Sequence, residues 1–367
     1  MGINLVLRLA ALAEEDVLEA STLQPAKLSA LIGPYTEPSH IRGCRGNGQD
    51  HIITSKTMTS EDRSSAWRNL EDQQWMQLQR TLDWMSAPGM HVHVNSFFPE
   101  GQTWFNYANL RVLQPLKNLC ESKEQRGIRM LSLGCGSGSV DAACLEQGWP
   151  IAEYHLAEFD DHLLEVATER LQKQGLVEKV VPHRFDFDSL SGIDFGQFDV
   201  IFFCHSLHHC SNIEGLLVFL KRSLNKHGML LGVDYFGGAR LQPDFQILPL
   251  LRRLYALLPE HIKVNLVTGL EEPTFCPQSM EDVMIHDPSE APRSGDLRSI
   301  FLSQLKELNT VPMGGTILRP LLTHRAGHFI SEDPNLQSLL KLFCLFEFEM
   351  INNGRIQSDD MLFFGKL

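Results

Sequence analysis

The segment Met130-Leu-Ser-Leu-Gly-Cys-Gly-Ser-Gly-Ser-Val-Asp141 concentrates the chemistry of this chain: an apolar run opens straight into Gly134-x-Gly136-x-Gly138. Glycines so spaced let the backbone turn tightly and approach a ligand with no Cβ in the way. A helix starting just beyond points its free N–H groups at that ligand. Gly134, Cys135, Gly136 and Gly138 are therefore the candidate cradle. Glu158 comes twenty residues after Gly138, at the predicted end of the next strand, where it could accept hydrogen bonds from ribose hydroxyls. Its plainer alternative is a solvated acid favoured by a helix dipole. Asp186, in Phe185-Asp-Phe-Asp188, could accept an adenine amino group with Phe187 packed on the ring, while Asp188 is a candidate turn cap. A dinucleotide fingerprint wants Gly or Ala at position 139, which here is Ser139. The spacing suits an amino-acid nucleoside without a pyrophosphate, and NAD is the runner-up cofactor.

A second group lies after the later strands. Ligands of open α/β sheets bind beyond the carboxyl ends of the strands. His205 and Ser206 lie just past the fourth predicted strand, and Asp234 and Tyr235 end the fifth. His205 is the first candidate for a base, because imidazole titrates near neutral pH; the bland alternative is a ring that only orders the loop. Tyr235, the second catalytic candidate, could shape the pocket or orient the nucleophile. His208, Asp234 and Arg240 are candidate substrate contacts, and the segment Asp287 to Arg293 a cap over them. A structural turn for His208 and a surface ion pair for Arg240 are the alternatives. Trp104 and Tyr107, in Trp104-Phe-Asn-Tyr107, could close over the site as an aromatic lid or anchor the core. Asp186, Cys204 and Cys210 stand near the histidines in sequence, but no metal-ligand spacing joins them, and no metal is expected.

The elements that must position these residues begin near Gly127. From there short apolar runs alternate with amphipathic stretches, the pattern of βαβ units and a parallel sheet. Strands are predicted at Arg129 to Leu133, up to Glu158, at Lys179 to Phe185, Phe198 to Cys204 and Met229 to Asp234. Helices are predicted at Ser139 to Gln147, around Leu163 to Leu171, and at Asn212 to Leu224. Later helical segments read near Phe245 to Leu258, Asp296 to Leu308 and Leu336 to Ile351, with a last strand at Asp360 to Gly365. Two late strands separated by a helix could form an antiparallel edge. Upstream, a helix is predicted from Leu5 to Ala20, a loop from Gly33 to Arg63, and a polar helix from Ser64 to Met85. The organisation is thus an N-terminal helix and flexible segment over 1–63, a helical lid over 64–126, a core over 127–243, and a helical cap with the final strands over 244–367.

Composition bounds the function. The chain has 367 residues, 43% hydrophobic and 21% charged, ordinary for a globular protein with a real core. A formal net charge of -13 argues against a nucleic-acid partner. Cys44, Cys120, Cys135, Cys144, Cys204, Cys210, Cys276 and Cys344 form no Cys-x-x-Cys pair and read as reduced, packed thiols. No apolar stretch reaches the ~20 residues a bilayer requires. Leu5 to Ala13 carries Arg8 and runs into Glu14, Glu15 and Asp16, unlike a signal peptide. A cytoplasmic location without membrane partners, compatible with a homodimer, is expected.

Taken as a set, Leu131-Ser-Leu-Gly-Cys-Gly-Ser-Gly138, Glu158, Asp160-Asp-His-Leu-Leu-Glu-Val-Ala167, Asp186 and Phe198-Asp-Val-Ile-Phe-Phe-Cys-His-Ser-Leu-His-His209 resemble the ordered motifs of class I S-adenosylmethionine (SAM)-dependent methyltransferases, over roughly Gly127 to Phe236. The resemblance implies a Rossmann-like, doubly wound, mostly parallel seven-stranded α/β sheet, with SAM as cofactor. It also implies a methyl acceptor, O or N of a small molecule or a peptide-derived metabolite. Asp234-Tyr-Phe-Gly-Gly-Ala-Arg-Leu-Gln242, Asp287-Pro-Ser-Glu-Ala-Pro-Arg-Ser294 and Gly314-Gly-Thr-Ile-Leu-Arg-Pro-Leu-Leu322 are similar to later motifs of a bacterial subgroup. That subgroup usually has Glu where Asp234 stands and Pro where Gly238 stands, so the departure touches the acceptor and not the donor. A protein that holds SAM without transferring its methyl is the alternative of a different class, and an NAD-dependent oxidoreductase a third.

Overall fold

A computed structural model of the chain describes residues 83–122, 127–330 and 333–367. The predicted Leu5–Ala20 helix and Gly33–Arg63 loop, and the Ser64–Met85 helix up to residue 82, lie outside the described residues. The first described element is a short turn, Trp84–Ser86, capped by the Asp83 side chain, which accepts the Met85 N–H at 3.0 Å. Helix α1 is Met90–Ser96. Thr103 caps α2, Trp104–Ala108, which runs through a π turn, Asn109–Leu113, into α3, Gln114–Ser122.

The core then alternates as its apolar pattern demands: β1 Ile128–Leu133, α4 Ser139–Glu146, β2 Ile151–Glu158, α5 Asp161–Gln174, β3 Lys179–Arg184, β4 Phe198–Cys204, α6 Ile213–Ser223 and β5 Leu224–Tyr235. Side chains cap the helices where the sequence offers them. Asp160 accepts from His162 N and Leu163 N at 2.9 and 3.1 Å to start α5, and Gly175 closes that helix at φ 63°. Asn212 accepts from Gly215 N at 3.0 Å to start α6.

The cap adds α7 Leu248–Ala256, α8 Met280–His286, β6 Lys306–Gly314, α9 Leu318–Leu322, α10 Pro334–Asn352 and β7 Asp360–Lys366. Seven strands form one sheet in the order β3-β2-β1-β4-β5-β7-β6. The first five are parallel, and β7 runs antiparallel to both β5 and β6. The strand order reverses direction between β1 and β4, so the carboxyl ends of those two strands flank a crevice. Central β4 reads Phe-Asp-Val-Ile-Phe-Phe-Cys, and Val200, Ile201, Phe202 and Phe203 are all fully buried. Burial on both faces explains the unbroken apolar run. Phe301 and Phe363 pack edge-on at 5.9 Å and join the antiparallel edge to that core.

Two elements correct the sequence reading. The expected Asp296 to Leu308 helix is a chain of short turns, Ser294–Asp296, Leu297–Phe301 and Leu302–Gln304, and then β6 begins. Edge strand β6 leaves residues 306–310 exposed, so apolar alternation was too weak to reveal it. The cap is locked by Glu347 of α10, which is fully buried. It accepts the N–H groups of Gly315, Ile317 and Leu318 at 3.2, 2.6 and 3.0 Å and bonds His93 of α1 at 2.7 Å. Gly314 has φ 87°, and a Cβ there would lie 2.6 Å from the Glu347 carboxylate, which explains the glycine.

Candidate functional site

The loop between β1 and α4 takes three left-handed turns in succession, with φ of 71° at Gly134, 54° at Gly136 and 68° at Gly138. L side chains rarely adopt this region, so the glycine spacing follows from backbone geometry. Gly134 N and Cys135 N donate to Ala157 O at 2.8 and 3.2 Å, binding the loop to β2. A Cβ on Gly134 would strike Ser206 at 2.6 Å, and one on Gly138 would strike Ala167 at 2.8 Å. A Cβ on Gly136 would meet nothing within 4 Å. The middle glycine alone faces open space, as a cradle for a ligand requires.

Glu158 ends β2 beside this loop. Its Oε2 accepts Gly136 N at 2.8 Å, and its Oε1 accepts Phe159 N and Asp160 N at 2.6 and 3.2 Å. Burial pushes its carboxyl up, and the three backbone N–H groups work against that rise. Burial, with the nearby Asp141 and Glu158 charges, keeps the Cys135 thiol well above its ordinary range and therefore neutral. Asp186, not Asp188, caps the turn after β3, its Oδ1 accepting Asp188 N at 2.9 Å. The Phe187 ring stands edge-on to Phe185 at 4.9 Å and 3.5 Å from where a Gly134 Cβ would sit, so it lines the same crevice. Gly134, Cys135, Gly136, Gly138, Glu158, Asp186 and Phe187 thus converge at the carboxyl ends of β1, β2 and β3. Sequence reasoning missed Asp141, in the first turn of α4, which is buried and accepts the Tyr154 hydroxyl at 2.8 Å.

The acceptor side gathers around one buried carboxylate. Asp234 Oδ2 accepts Ser206 N and Leu207 N at 2.9 and 2.8 Å. Its Oδ1 accepts Tyr235 N at 2.8 Å, His208 N at 3.2 Å and His208 Nδ1 at 2.6 Å. Asp234 is fully buried with both oxygens occupied by these donors, so it positions the loop after β4. Burial would raise its carboxyl, yet the His208 charge and hydrogen bond hold it at about 2. Burial disfavours the His208 imidazolium, but the Asp234 and Glu290 carboxylates outweigh that and lift it to about 9. The second His208 nitrogen, Nε2, lies 3.4 Å from Glu290 Oε1. Asp234, His208 and Glu290 form a continuous string. Glu290 itself was missed in the sequence, although its segment was singled out. His209 sets Nδ1 3.0 Å from Ser289 O, and the metal-capable atoms of His208, His209 and Glu290 lie within 4.8 Å of one another.

His205 is exposed, with φ 51°, and its N–H donates to Val233 O at 2.8 Å. A non-glycine residue held in this region stores strain of a kind that clusters at functional sites. Tyr235 is buried and donates its hydroxyl to Gly238 O at 3.1 Å; burial drives that hydroxyl far above its ordinary range. The hydroxyl keeps its proton near neutral pH and so cannot act as a base. The guanidinium of Arg319 lies between the rings of Tyr235 and Trp84, 5.0 and 5.4 Å from them.

Three expected substrate contacts go elsewhere. Arg240 donates to the carbonyls of Pro288 and Glu290 at 2.7 and 2.8 Å and so holds the cap segment. Trp104 stacks on Phe105 at 3.7 Å and meets Trp149 edge-on at 6.1 Å. Trp149 precedes β2, and the Trp104 ring also stacks on Phe202 of β4 at 6.4 Å, so Trp104 packs α2 against the sheet. Tyr107 packs edge-on against Phe98 at 5.5 Å. Both aromatic rings belong to the N-terminal packing, a role that the Trp-Phe-Asn-Tyr pattern alone could not distinguish from a lid.

Residues 131–230 match a family model described as a methyltransferase domain. Demethylmenaquinone methyltransferase from Leptospira interrogans is 28% identical over 107 residues, 29% of this chain and 43% of the relative. The chain therefore spans less than half the length of the curated relatives it matches. Among solved structures, an O-methyltransferase from a trans-AT polyketide synthase multienzyme of Brevibacillus brevis, in complex with S-adenosyl-L-homocysteine, is 16% identical with a TM-score of 0.37, covering 78% of this chain and 83% of that one. The plantazolicin methyltransferase BpumL, also in complex with SAH, is 13% identical with a TM-score of 0.36, covering 84% and 96%. Residues 131–230, from within β1 into β5, are thus the part of this chain that is similar to a methyltransferase domain.

Proposed function

We propose that the chain transfers a methyl group from SAM to O or N of a small-molecule or peptide-derived metabolite. The observation that carries this reading is the Asp234–His208–Glu290 string, set at the carboxyl ends of β4 and β5 beside the Gly134–Gly138 crevice. The crevice fits the donor. Gly136 leaves room for the amino-acid end, Glu158 offers its carboxylate to the ribose, and Asp186 and Phe187 stand ready for the adenine. When bound, SAM supplies a methyl carbon activated by a sulfonium.

The chain's own residues do the rest. Asp234 fixes His208 with Nδ1 as the donor and Nε2 directed toward Glu290, so the neutral ring has a lone pair facing the acceptor side. In that form, which its rise to about 9 reserves for alkaline pH, His208 takes the proton of a hydroxyl or amine acceptor, a role worth roughly 10²–10⁴-fold. His208 replaces His205 as the base in this reading, because His205 has no such carboxylate relay; His205 borders the crevice as a contact to donor or acceptor. Tyr235 orients and does not ionise. Among the described residues no helix is long and apolar enough to cross a membrane. Mass spectrometry of a metabolite extract incubated with the protein and methyl-labelled SAM tests the proposal. A labelled product that disappears with His208→Gln is expected, and equal labelling by that variant would remove the base assignment.

A further inference from the structure

Two imidazoles and a carboxylate meet on the acceptor side, each already held from behind. We propose that His208, His209 and Glu290 bind a zinc-class divalent cation, and that the ion blocks methyl transfer by taking the lone pair of His208 Nε2. The blockade rests on His208 as the base proposed above; the binding does not.

A metal-bound histidine turns one ring nitrogen to the ion and donates the other ring N–H to a carboxylate or a backbone carbonyl, which fixes tautomer and ring orientation. Both rings have such a partner. His208 Nδ1 donates to Asp234 Oδ1 at 2.6 Å. His209 Nδ1 lies 3.0 Å from Ser289 O, an oxygen that can only accept. The His209 proton therefore sits on Nδ1, and Nε2 is the basic nitrogen of the neutral ring. The third ligand is fixed through its backbone. Glu290 N donates to Asp287 O at 3.1 Å, and Arg240 donates to the Glu290 carbonyl at 2.8 Å. Asp287 Oδ1 in turn accepts Ser289 N at 2.8 Å and Ser289 Oγ at 2.6 Å, so the turn that carries Glu290 is set before any ion arrives.

The spacing fits a tetrahedral ion. Zinc bonds to nitrogen and oxygen of ~2.0–2.2 Å, at the tetrahedral angle, hold neighbouring ligand atoms about 3.4 Å apart. His208 Nε2 and Glu290 Oε1 are 3.4 Å apart, wider than the ~2.7–2.9 Å of a charged hydrogen bond. Ligand atoms of all three residues lie within 4.8 Å of one another, and small rotations of the His209 and Glu290 side chains close the set. Three protein ligands leave a fourth position for water. Two imidazoles select a zinc-class ion over magnesium or calcium, which take oxygen ligands. The local charge favours a cation. Asp234, Asp287 and Glu290 bring three carboxylates, against Arg240 on the same segment and Arg319 paired with Asp360. Side-chain exposures of 8% for His208, 18% for His209 and 23% for Glu290 exclude most water and still leave an entry. No ligand spacing in the sequence marks the trio, because Glu290 comes 82 residues after His208 (290 minus 208).

The test uses the full chain stripped of metal by a chelator, with zinc titrated by calorimetry and cobalt by visible absorption. One ion per chain is expected, with the cobalt spectrum of a four-coordinate nitrogen and oxygen site. His209→Ala and Glu290→Gln each remove a ligand. Each should weaken zinc by more than the ~10–100-fold that follows loss of an outer partner. Without metal, both variants should unfold within about 3 °C of the parent. Zinc held equally by the parent and both variants, displacement by magnesium, or a thiolate band in the cobalt spectrum overturns the binding. Saturating zinc should cut labelled-methyl transfer by roughly 10²–10⁴-fold, the worth of the base, and the chelator should restore it. Transfer unchanged at saturating zinc overturns the blockade. A parent that binds zinc but transfers no methyl from SAM overturns the methyltransferase reading instead and leaves the ion site standing.

Discussion

Replacing Asp234 by Asn keeps the side chain's shape and removes its charge, and its consequences can be worked out from the contacts. Both carboxylate oxygens are engaged: Oδ2 by Ser206 N and Leu207 N, Oδ1 by Tyr235 N, His208 N and His208 Nδ1. An amide has one oxygen. If it takes the Oδ1 place, its NH2 faces the two donors of Ser206 and Leu207. Two stranded buried donors at ~1–3 kcal/mol each overlap with the ~3–5 kcal/mol typical of breaking a buried ion pair. A loss of ~3–5 kcal/mol lowers the midpoint of thermal unfolding by about 4–7 °C for a chain of this size.

The pH dependence separates a positioning role from mere packing. His208 is raised to about 9 in the fold, so its share of stability is full below about pH 6.5, its unfolded value, and is lost as pH rises through 9. Asp234 is held at about 2, so its share is present above about pH 4 and is lost as pH falls through 2. The gap between parent and variant should therefore be widest from about pH 4 to 6.5. Without its carboxylate partner, His208 should titrate well below 9, and the alkaline-rising limb of methyl transfer should move down with it. Imidazole resonances followed by NMR against pH read the first, and labelled-methyl transfer reads the second. A midpoint lowered by less than about 2 °C at pH 6, or a limb that stays near 9, would refute this account of Asp234.

Other expected outcomes concern the crevice. Gly136→Val meets nothing within 4 Å of its new Cβ but puts a β-branched residue at φ 54°, so it should lower the thermal midpoint and abolish SAM binding in calorimetry by filling the cradle. Unaltered affinity would take the loop out of the site. Glu158→Ala should weaken SAM by roughly 1–3 kcal/mol, and an unchanged dissociation constant would mean that the ribose contact is misplaced. Gly134→Ala differs from its neighbour: a Cβ 2.6 Å from Ser206, at φ 71°, should lower stability itself, seen as a reduced urea midpoint, and a wild-type midpoint would show that the loop relaxes freely.

Legibility in the sequence tracked how local the physics is. The β1 loop was readable because three left-handed turns in five residues admit little but glycine, and Glu158 because strand length fixes where β2 ends. Strands β1, β4, β7 and the second half of β5 announced themselves through runs buried on both faces. Strand β6 did not, since its exposed first half carries Lys306, Glu307 and Asn309. The acceptor side was half legible. His208 and Asp234 were both named, but the 2.6 Å bond that makes one the partner of the other joins residues 26 apart, and only the β4–β5 pairing brings them together. Glu290 and Arg319 reach the site from segments far along the chain; both segments stood out as motifs, but nothing within them marked these two residues. Trp104 misled for the opposite reason: an aromatic cluster looks the same whether it covers a ligand or a sheet.

A crystal structure of the chain with S-adenosylhomocysteine is the most direct test of the central claim. The account predicts the amino-acid end over Gly134 to Gly138, both ribose hydroxyls on the Glu158 carboxylate, and the thioether sulfur on the side of the crevice that faces His208. Electron density for the ligand anywhere else, or a ribose that leaves Glu158 bonded only to backbone N–H groups, would contradict it.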